Sequence, residues 1–310
     1  MRFAIIDIGS NTIKMTVYDY RSTGMVPVHS TSKAASLISY IENGMLSDKG
    51  IRVLADTVSD LASEAGRNSC FYVFPFATAS LRRASNYEAA IRKVKKQTGY
   101  TIDLISGEQE ALFTFDGIVN AMGSSLAPDG IAFDMGGGST EVILYESKKA
   151  KEFVSLDFGA LSLFQSYVKR LLPTHRECAK IQKVTEKLYL KIPFIKGLSG
   201  ISHLYMIGGT GRALARIHAS LTDRPFTLPY TLSRAEIEAL IERLICDGDH
   251  EAKLCAIREI PSRIHTVCTG INAVLSLMTV CGAEKLTVTD ASVRDGYAAY
   301  IARLNGITND

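Results

Sequence analysis

The sequence predicts an α/β protein made of two lobes, each with a mixed sheet flanked by helices. Two stretches, at residues 3–18 and 131–145, share the layout strand, aspartate, glycine-containing turn, strand. After each of them strands and helices alternate, as they do in α/β domains. A chain of 310 residues is also long for one hydrophobic core and comfortable for two. We therefore predict lobes over residues 1–124 and 125–310, divided at the Gly-, Pro- and Asp-containing segment 123–130. Whether the last helix packs back on the first lobe stays open.

The first lobe is predicted to open with an antiparallel meander, because a third apolar stretch at 25–30 follows the first hairpin. Ser47 is expected to cap a helix whose apolar residues recur at helical spacing over 51–62. Residues 37–44 have no clear period. The other predicted elements of this lobe are strands at 71–76 and 102–105, a helix that Asn86 caps and that runs to about 98, and a helix at 106–122.

The second lobe repeats this order, with a third strand near Phe153. A strand at 205–207 leads into Gly208-Gly209-Thr210-Gly211 and a helix. Ser233 and Glu236 have the spacing of a capping box, which predicts a helix start. The remaining predicted elements are a strand at 286–289 and helices at 159–172, 175–190, 261–280 and 293–304.

Composition places the chain among soluble globular proteins. Hydrophobic and charged contents of 46% and 22% are ordinary for that class. No apolar run approaches the ~20 residues of a membrane span, and we expect no signal peptide. The six cysteines form no Cys-x-x-Cys pair, which favours reduced thiols in the cytoplasm. A formal charge of +3 is compatible with a polyanionic ligand and equally with a solvated surface.

The second hairpin combines acids with a turn suited to phosphate. Asp134 ends one strand, Gly136, Gly137 and Gly138 form the turn, and Glu141 opens the next strand. Successive glycines let the backbone approach a ligand and aim several N–H groups at one anion. A carboxylate beside such a cradle repels phosphate unless a cation lies between them, so the pattern calls for Mg²⁺. The alternative is an ordinary hairpin with a flexible glycine turn.

The first hairpin repeats this layout, with Asp7 at the strand end followed by Gly9-Ser10-Asn11-Thr12. The two aspartates lie 127 residues apart, about one small domain. Two related halves with an acid at each hairpin tip suggest a phosphate held between two lobes.

Together these motifs resemble the exopolyphosphatase/guanosine pentaphosphate phosphohydrolase (Ppx/GppA) family of the actin-like, sugar-kinase-like ATPase superfamily. The resemblance runs from residue 3 to about residue 300, and its motifs are at 7–12, 77–82, 105–111, 134–141, 207–210, 263–270 and 293–296. It implies two ribonuclease-H-like (actin-like) lobes with the active site in the cleft between them. It also implies hydrolysis of a terminal phosphoanhydride by water, with Mg²⁺ as cofactor.

The resemblance also assigns roles to residues. Glu110 is the base that orients the attacking water, and Asp7, Asp134 and Glu141 hold Mg²⁺. Arg82 offers a planar fork that suits phosphate oxygens. The full set of phosphate-binding residues is Ser10, Asn11, Arg82, Gly136, Gly137, Gly138, Ser139, Gly208 and Gly209. The alternative for Glu110 is a plain acid at a helix N-terminus, favoured by the helix dipole.

Two arginines have open roles, and two positions depart from the family pattern. Arg263 and Arg294 either face the ligand or form salt bridges between lobes. Residues 35–40 replace an Arg-Leu-Gly-x-Gly-Leu segment, with Lys33 as a substitute charge, and Leu112 stands where many members have arginine. We expect these losses to weaken binding of long polyphosphate more than the chemistry. The end at residue 310 is expected to leave no room for the extra helical domain of longer members.

The sequence therefore predicts a cytoplasmic hydrolase acting on polyphosphate, guanosine pentaphosphate or a smaller phosphorylated metabolite. Nucleic acid and membranes are not expected as partners, and a homodimer is one option for assembly. The alternative is a catalytically weak sensor of phosphate-rich ligands with the same fold. A kinase of the same superfamily is a third option, which needs an acceptor pocket that the sequence does not reveal.

Overall fold

The computed structural model describes residues 1–21, 24–82, 84–196, 198 and 200–306. The chain forms two compact units: unit 1 is Met1–Phe113 with Val293–Asp310, and unit 2 is Thr114–Ser292. The predicted mixed α/β class with two sheets is confirmed. The division differs from the predicted line at 124/125, because the chain leaves unit 1 inside a helix and returns to it for the last helix.

The strands are β1 (Arg2–Ile8), β2 (Thr12–Arg21), β3 (Gly24–Ala34), β4 (Ile41–Glu42), β5 (Met45–Leu46), β6 (Tyr72–Ala77), β7 (Asp103–Leu104), β8 (Gly130–Met135), β9 (Thr140–Glu146), β10 (Lys149–Leu156), β11 (His203–Ile207), β12 (Tyr230–Ser233) and β13 (Lys285–Val288). The helices are α1 (Asp48–Arg67), α2 (Ala79–Arg82), α3 (Tyr87–Thr98), α4 (Gly107–Met122), α5 (Ala160–Tyr167), α6 (His175–Tyr189), α7 (Gly208–Leu221), α8 (Arg234–Leu244), α9 (His250–Glu259), α10 (Ile264–Cys281) and α11 (Val293–Leu304). Single 3₁₀ turns form at Leu37–Tyr40 and Gly123–Ser125.

The two large sheets share one plan, and β4 and β5 form a separate two-stranded sheet. In unit 1 the order is β3-β2-β1-β6-β7, with β1 to β3 antiparallel and β6 and β7 parallel to β1. In unit 2 the order is β10-β9-β8-β11-β13-β12, with β8 to β10 antiparallel, β11 and β13 parallel to β8, and β12 antiparallel at the edge. The first three strands of each sheet thus form the predicted meander, and the innermost of the three, β1 or β8, has an aspartate as its next-to-last residue.

In unit 1 apolar side chains cover both faces of the sheet. The helical period of α1 buries Ile51, Leu54 and Val58 against alternate residues of β1. Ser47 caps α1 by accepting from the Gly50 amide, as predicted. On the other face the last helix packs aromatic side chains, and the Phe76 and Tyr297 rings lie 4.5 Å apart.

Unit 2 is built around α10, which is long and apolar enough to cross a membrane by length and composition. Burial gives it a different role, because 78% of this stretch is buried and it packs against α5, α6, α7 and α8. Its apolar residues belong to the core cluster of this unit. Helix α10 is therefore a core helix.

Some elements differ from the sequence prediction. Helix α9 and strand β12 were not predicted, and α5 ends at Tyr167 instead of 172 because Val168 is extended. Helix α10 starts at Ile264 because residues 261–263 form a turn. Asn86 precedes α3 but does not cap it with its side chain; its amide bonds to the Leu46 backbone instead.

Candidate functional site

The first hairpin places Asp7 at the end of β1, half-buried, opposite Lys14 of β2. A tight turn follows, in which the Gly9 amide donates to the Thr12 carbonyl at 3.2 Å. A Cβ at Gly9 would lie 2.9 Å from that carbonyl oxygen, so the turn itself requires glycine. The Asp7 carboxylate accepts a hydrogen bond from Arg294 at 3.0 Å, and the two charges form an ion pair within unit 1.

The predicted phosphate residues Ser10 and Asn11 form the turn of this hairpin, and the 35–40 segment is bonded to them. The amides of Ala35 and Ser36 donate to the Asn11 carbonyl, and the Ile38 amide donates to Ser10. The Ser36 hydroxyl also donates to the Asn11 side-chain oxygen at 3.0 Å. The segment that departs from the family pattern therefore supports the Ser10-Asn11 turn through hydroxyl and backbone groups.

Glu110, the candidate base, lies on the first turn of α4 and is buried, with 7% of its surface exposed. Its Oε2 accepts from Arg82 at 3.1 Å, and Arg82 also donates to the Ile105 carbonyl at 2.6 Å. The structure thus brings together two predicted site residues that stand 28 positions apart. Arg82 holds the candidate base; its role as a phosphate ligand stays a prediction.

The second hairpin sets two acids directly opposite each other. Asp134 of β8 pairs in register with Glu141 of β9, so both side chains project from the same face of the sheet. Glu141 is only 2% exposed and accepts from the Ser155 hydroxyl at 2.9 Å. Like charges directly opposite each other are destabilising, and a cation between two carboxylates offsets that repulsion. The pair is therefore well suited to a cation.

The glycine turn between these strands is held by the start of α5. The Ala160 amide donates to the Gly136 carbonyl at 2.9 Å, and Leu161 and Ser162 donate to the Gly137 carbonyl at 2.9 and 3.0 Å. With its carbonyls bound on one side, the turn has a fixed backbone. Sequence reasoning did not single out Gly159, where a Cβ would lie 2.6 Å from the Gly137 carbonyl carbon.

The protein itself does not require glycine at two positions of this turn. A Cβ at Gly136 or Gly137 would make only ordinary contacts, at 3.5 and 3.6 Å, and neither residue has a left-handed φ. Gly137 is also exposed. Glycine at these two positions leaves the backbone open to close approach by an external group.

The third glycine segment begins α7 at the end of β11, the strand beside β8. Gly208 has a φ of +93°, and a Cβ there would overlap the Asp134 carboxylate. A Cβ at Gly209 would overlap the Arg263 guanidinium, which is close enough to Asp134 to interact electrostatically. Arg263 therefore belongs to the surroundings of the second aspartate within unit 2.

These residues fit a magnesium ion in unit 2. Mg²⁺ is usually bound through one or two carboxylates together with substrate phosphates and water. Asp134 and Glu141 supply two carboxylates at the mouth of the glycine turn. Within the described residues no group of three or more acidic, histidine or cysteine side chains forms a closed metal cage. In unit 1 the predicted ligand Asp7 is already paired with Arg294.

Structural likeness defines the class of protein. A family member from Aquifex aeolicus matches with a TM-score of 0.84 and 22% identity, covering 100% of this chain and 99% of that one. An exopolyphosphatase structure from Cytophaga hutchinsonii matches with a TM-score of 0.83 and 21% identity, covering 99% of both chains. The fold is therefore the actin-like α/β fold of Ppx/GppA proteins.

The profile of the Ppx/GppA phosphatase family matches residues 16–302, and the chain belongs to that family. Exopolyphosphatase 1 of Mycobacterium bovis is 30% identical over 184 residues, 59% of this chain and 53% of that protein. The guanosine-5'-triphosphate,3'-diphosphate pyrophosphatase of Vibrio vulnificus is 23% identical over 298 residues, 96% of this chain and 58% of that protein. The chain spans between half and three fifths of the length of these relatives.

Proposed function

We propose that this protein is a cytoplasmic, Mg²⁺-dependent hydrolase that releases orthophosphate from inorganic polyphosphate or guanosine pentaphosphate. The observation that carries the proposal is the opposed pair Asp134 and Glu141 beside a turn in which Gly136 and Gly137 both have room for a Cβ. Membership of a phosphatase family supports it. So do the names of the relatives, an exopolyphosphatase and a guanosine-5'-triphosphate,3'-diphosphate pyrophosphatase.

Each residue has a distinct task in this proposal. The amides of the 136–139 turn bind phosphate oxygens, and Asp134 and Glu141 would hold Mg²⁺, which neutralises phosphate charge. Glu110 orients the attacking water and accepts its proton. Arg82 fixes the Glu110 carboxylate through Oε2, so that the direction of this base is set before the substrate binds. Such transfer depends mostly on positioning and charge neutralisation.

The first test compares Glu110→Gln with wild type. Phosphate release would be measured from polyphosphate of several lengths and from guanosine pentaphosphate, with Mg²⁺ and with EDTA. We expect metal-dependent release by wild type and a loss of at least ~100-fold in the variant, as general-base removal typically costs. Glu108→Gln is the matched control, because Glu108 is an exposed acid on the same first turn of α4. Equal rates of phosphate release by both variants would show that Glu110 is not the base. Glu110 would then be, like Glu108, an acid that interacts favourably with the helix dipole.

A second candidate function is a catalytically weak sensor that binds phosphate-rich ligands. It is favoured by the ion pairs that already engage Arg82 with Glu110 and Asp7 with Arg294, and by the lack of a cation in residues 35–40. Thermal stabilisation by guanosine pentaphosphate or polyphosphate without phosphate release would select this function over hydrolysis.

A further inference from the structure

The first turn of the last helix contacts the parts of unit 1 that carry the candidate chemistry. Arg294 donates through Nη1 to the Asp7 carboxylate at 3.0 Å and through Nε to the Thr16 hydroxyl at 3.3 Å. Its side chain is 14% exposed, and that of Asp7 is 21% exposed. Two partners in one plane restrict the guanidinium to one orientation. The pair is therefore more ordered than an exposed salt bridge, which contributes little.

A second contact anchors the same turn to the hairpin. Asp295 accepts from the Tyr18 hydroxyl at 2.7 Å, and Tyr18 is only 1% exposed. Burial raises the pKa of Tyr18 well above its ordinary value, with Asp295 adding to the effect, so the phenol stays a hydrogen-bond donor. The backbone position of Arg294 is thus set by its neighbour and not by Asp7 alone.

A third contact connects this turn to the helix of the candidate base. A Cβ at Gly296 would overlap the Phe113 backbone, so α11 and α4 are in direct backbone contact there. Glu110 precedes Phe113 by three residues, one turn earlier on α4. The first turn of α11 is therefore packed against Asp7 on one side and against the helix of Glu110 on the other, all within unit 1.

We propose that Arg294 is a positioning residue, which fixes the direction of the Asp7 carboxylate relative to the helix that carries Glu110. The guanidinium also neutralises Asp7, so that the adjacent Ser10-Asn11 turn does not repel an incoming phosphate. This inference rests on the proposed hydrolase function. In this inference Arg294 affects turnover through Asp7, since a carboxylate that is no longer held can move. Displacing a reacting or charge-bearing group by about 1 Å costs on the order of 10²-fold in rate.

The test is a double-mutant cycle over Arg294→Gln and Asp7→Asn, with Arg294→Lys as the conservative variant. We expect Arg294→Gln to lower kcat about 10-fold with KM changed less, and Arg294→Lys to recover part of that loss. In the Asp7→Asn background, Arg294→Gln should lower the residual kcat by less than about 2-fold, because the carboxylate that Arg294 positions is no longer present.

Urea unfolding in EDTA gives a readout that needs no activity. It is run on the four proteins of the cycle: wild type, the two single variants and the double variant. There Arg294→Gln should lower the midpoint in wild type and much less in Asp7→Asn.

Arg21→Gln is the matched control, because Arg21 forms an exposed pair with Asp19 at 3.1 Å on the same hairpin. Its kcat should equal that of wild type. Equal losses from Arg294→Gln in both backgrounds, in kcat or in the urea midpoint, would overturn the inference while the hydrolase function stands. Absence of phosphate release from wild type would instead overturn the proposed function, and with it the role of Arg294 in turnover.

Discussion

At the scale of single residues, Gly159 decides whether the glycine turn at 136–138 keeps its shape. Its φ of −151° is open to any residue, so the demand for glycine comes from space alone. A Cβ would lie 2.6 Å from the Gly137 carbonyl carbon and 2.7 Å from the Gly138 amide nitrogen. We predict that Gly159→Ala separates α5 from the turn, lowers stability by about 1–3 kcal/mol and raises KM for the phosphate substrate. Urea unfolding and steady-state kinetics measure the two effects.

The matched substitution is Gly66→Ala on an exposed part of α1, where no atom lies within 4 Å of the added Cβ. It should stabilise by about 0.5–1 kcal/mol, because alanine is the better helix former. A Gly159→Ala variant with unchanged stability and unchanged KM would show that the contact between α5 and the turn has no part in binding.

The positions of the candidate site residues were predictable from sequence where the residues lie within one motif, and the positions of their partners were not. Asp134 and Glu141 flank a three-glycine turn, so their opposition across a hairpin follows from strand geometry. The partner of Asp7 stands 287 positions away at Arg294, and no local pattern joins them. From the sequence, Arg294 was expected either to face the ligand or to form a salt bridge between lobes. In the structure it forms an ion pair with Asp7 within unit 1.

At the scale of elements, the caps at Ser47 and Ser233 were predictable, because a cap depends on a few neighbouring residues. Ser233 and Glu236 form the predicted capping box: the Ser233 hydroxyl accepts from the Glu236 amide at 3.2 Å. We predict that Ser233→Ala lowers the free energy of unfolding of unit 2 by about 1 kcal/mol, read from urea unfolding followed by circular dichroism. Ser166→Ala, an exposed serine inside α5, should leave stability equal or slightly higher. Equal effects of both changes would contradict a capping role.

Elements without a strong period were the ones that sequence analysis missed. Helix α9 buries only small side chains, Ala252, Cys255 and Ala256, while Leu254 and Ile257 are about half exposed. Its apolar pattern therefore does not mark one face. Strand β12 has four residues and lies at a sheet edge, so tertiary pairing with β13 defines it more than its own sequence.

At the scale of the whole molecule, the chain divides into its units at positions that composition does not mark. The Gly- and Pro-containing segment 123–130 predicted the boundary, yet the change of unit falls inside α4, at Phe113 and Thr114. The return of α11 to unit 1 depends on long-range contacts such as those of Tyr297 with Phe76 and Asp103. Such contacts form only when distant parts of the chain have folded, so local sequence patterns do not predict them.

The stability of unit 2 should depend on pH through two histidines, the buried His218 and the half-buried His203. Burial lowers the pKa of His218 from its ordinary value of 6.5, with Glu236 opposing and Arg224 adding to the effect. His218 bonds to the Tyr230 hydroxyl at 2.9 Å. Burial also lowers the pKa of His203, assisted by the charge of Lys285. Both side chains are therefore held neutral in the folded protein at neutral pH.

Because the folded pKa of each histidine lies below the unfolded value, the unfolded chain binds more protons as the pH falls. The stabilisation that comes from keeping the two histidines neutral is fully present above about pH 6.5 and is lost as the pH falls through their pKa in the folded protein. We predict that the urea midpoint of unit 2 decreases from about pH 7.5 to about pH 5.5, and that His218→Asn decreases less over this range. The pKa values of the Glu177 and Glu236 carboxyls are lowered from their ordinary 4.5, so these two groups change the stability only below about pH 4.5, outside this range.

His175→Asn, at a histidine that is 62% exposed, is the control and should follow wild type. A pH dependence that His218→Asn leaves unchanged would assign the effect to other groups.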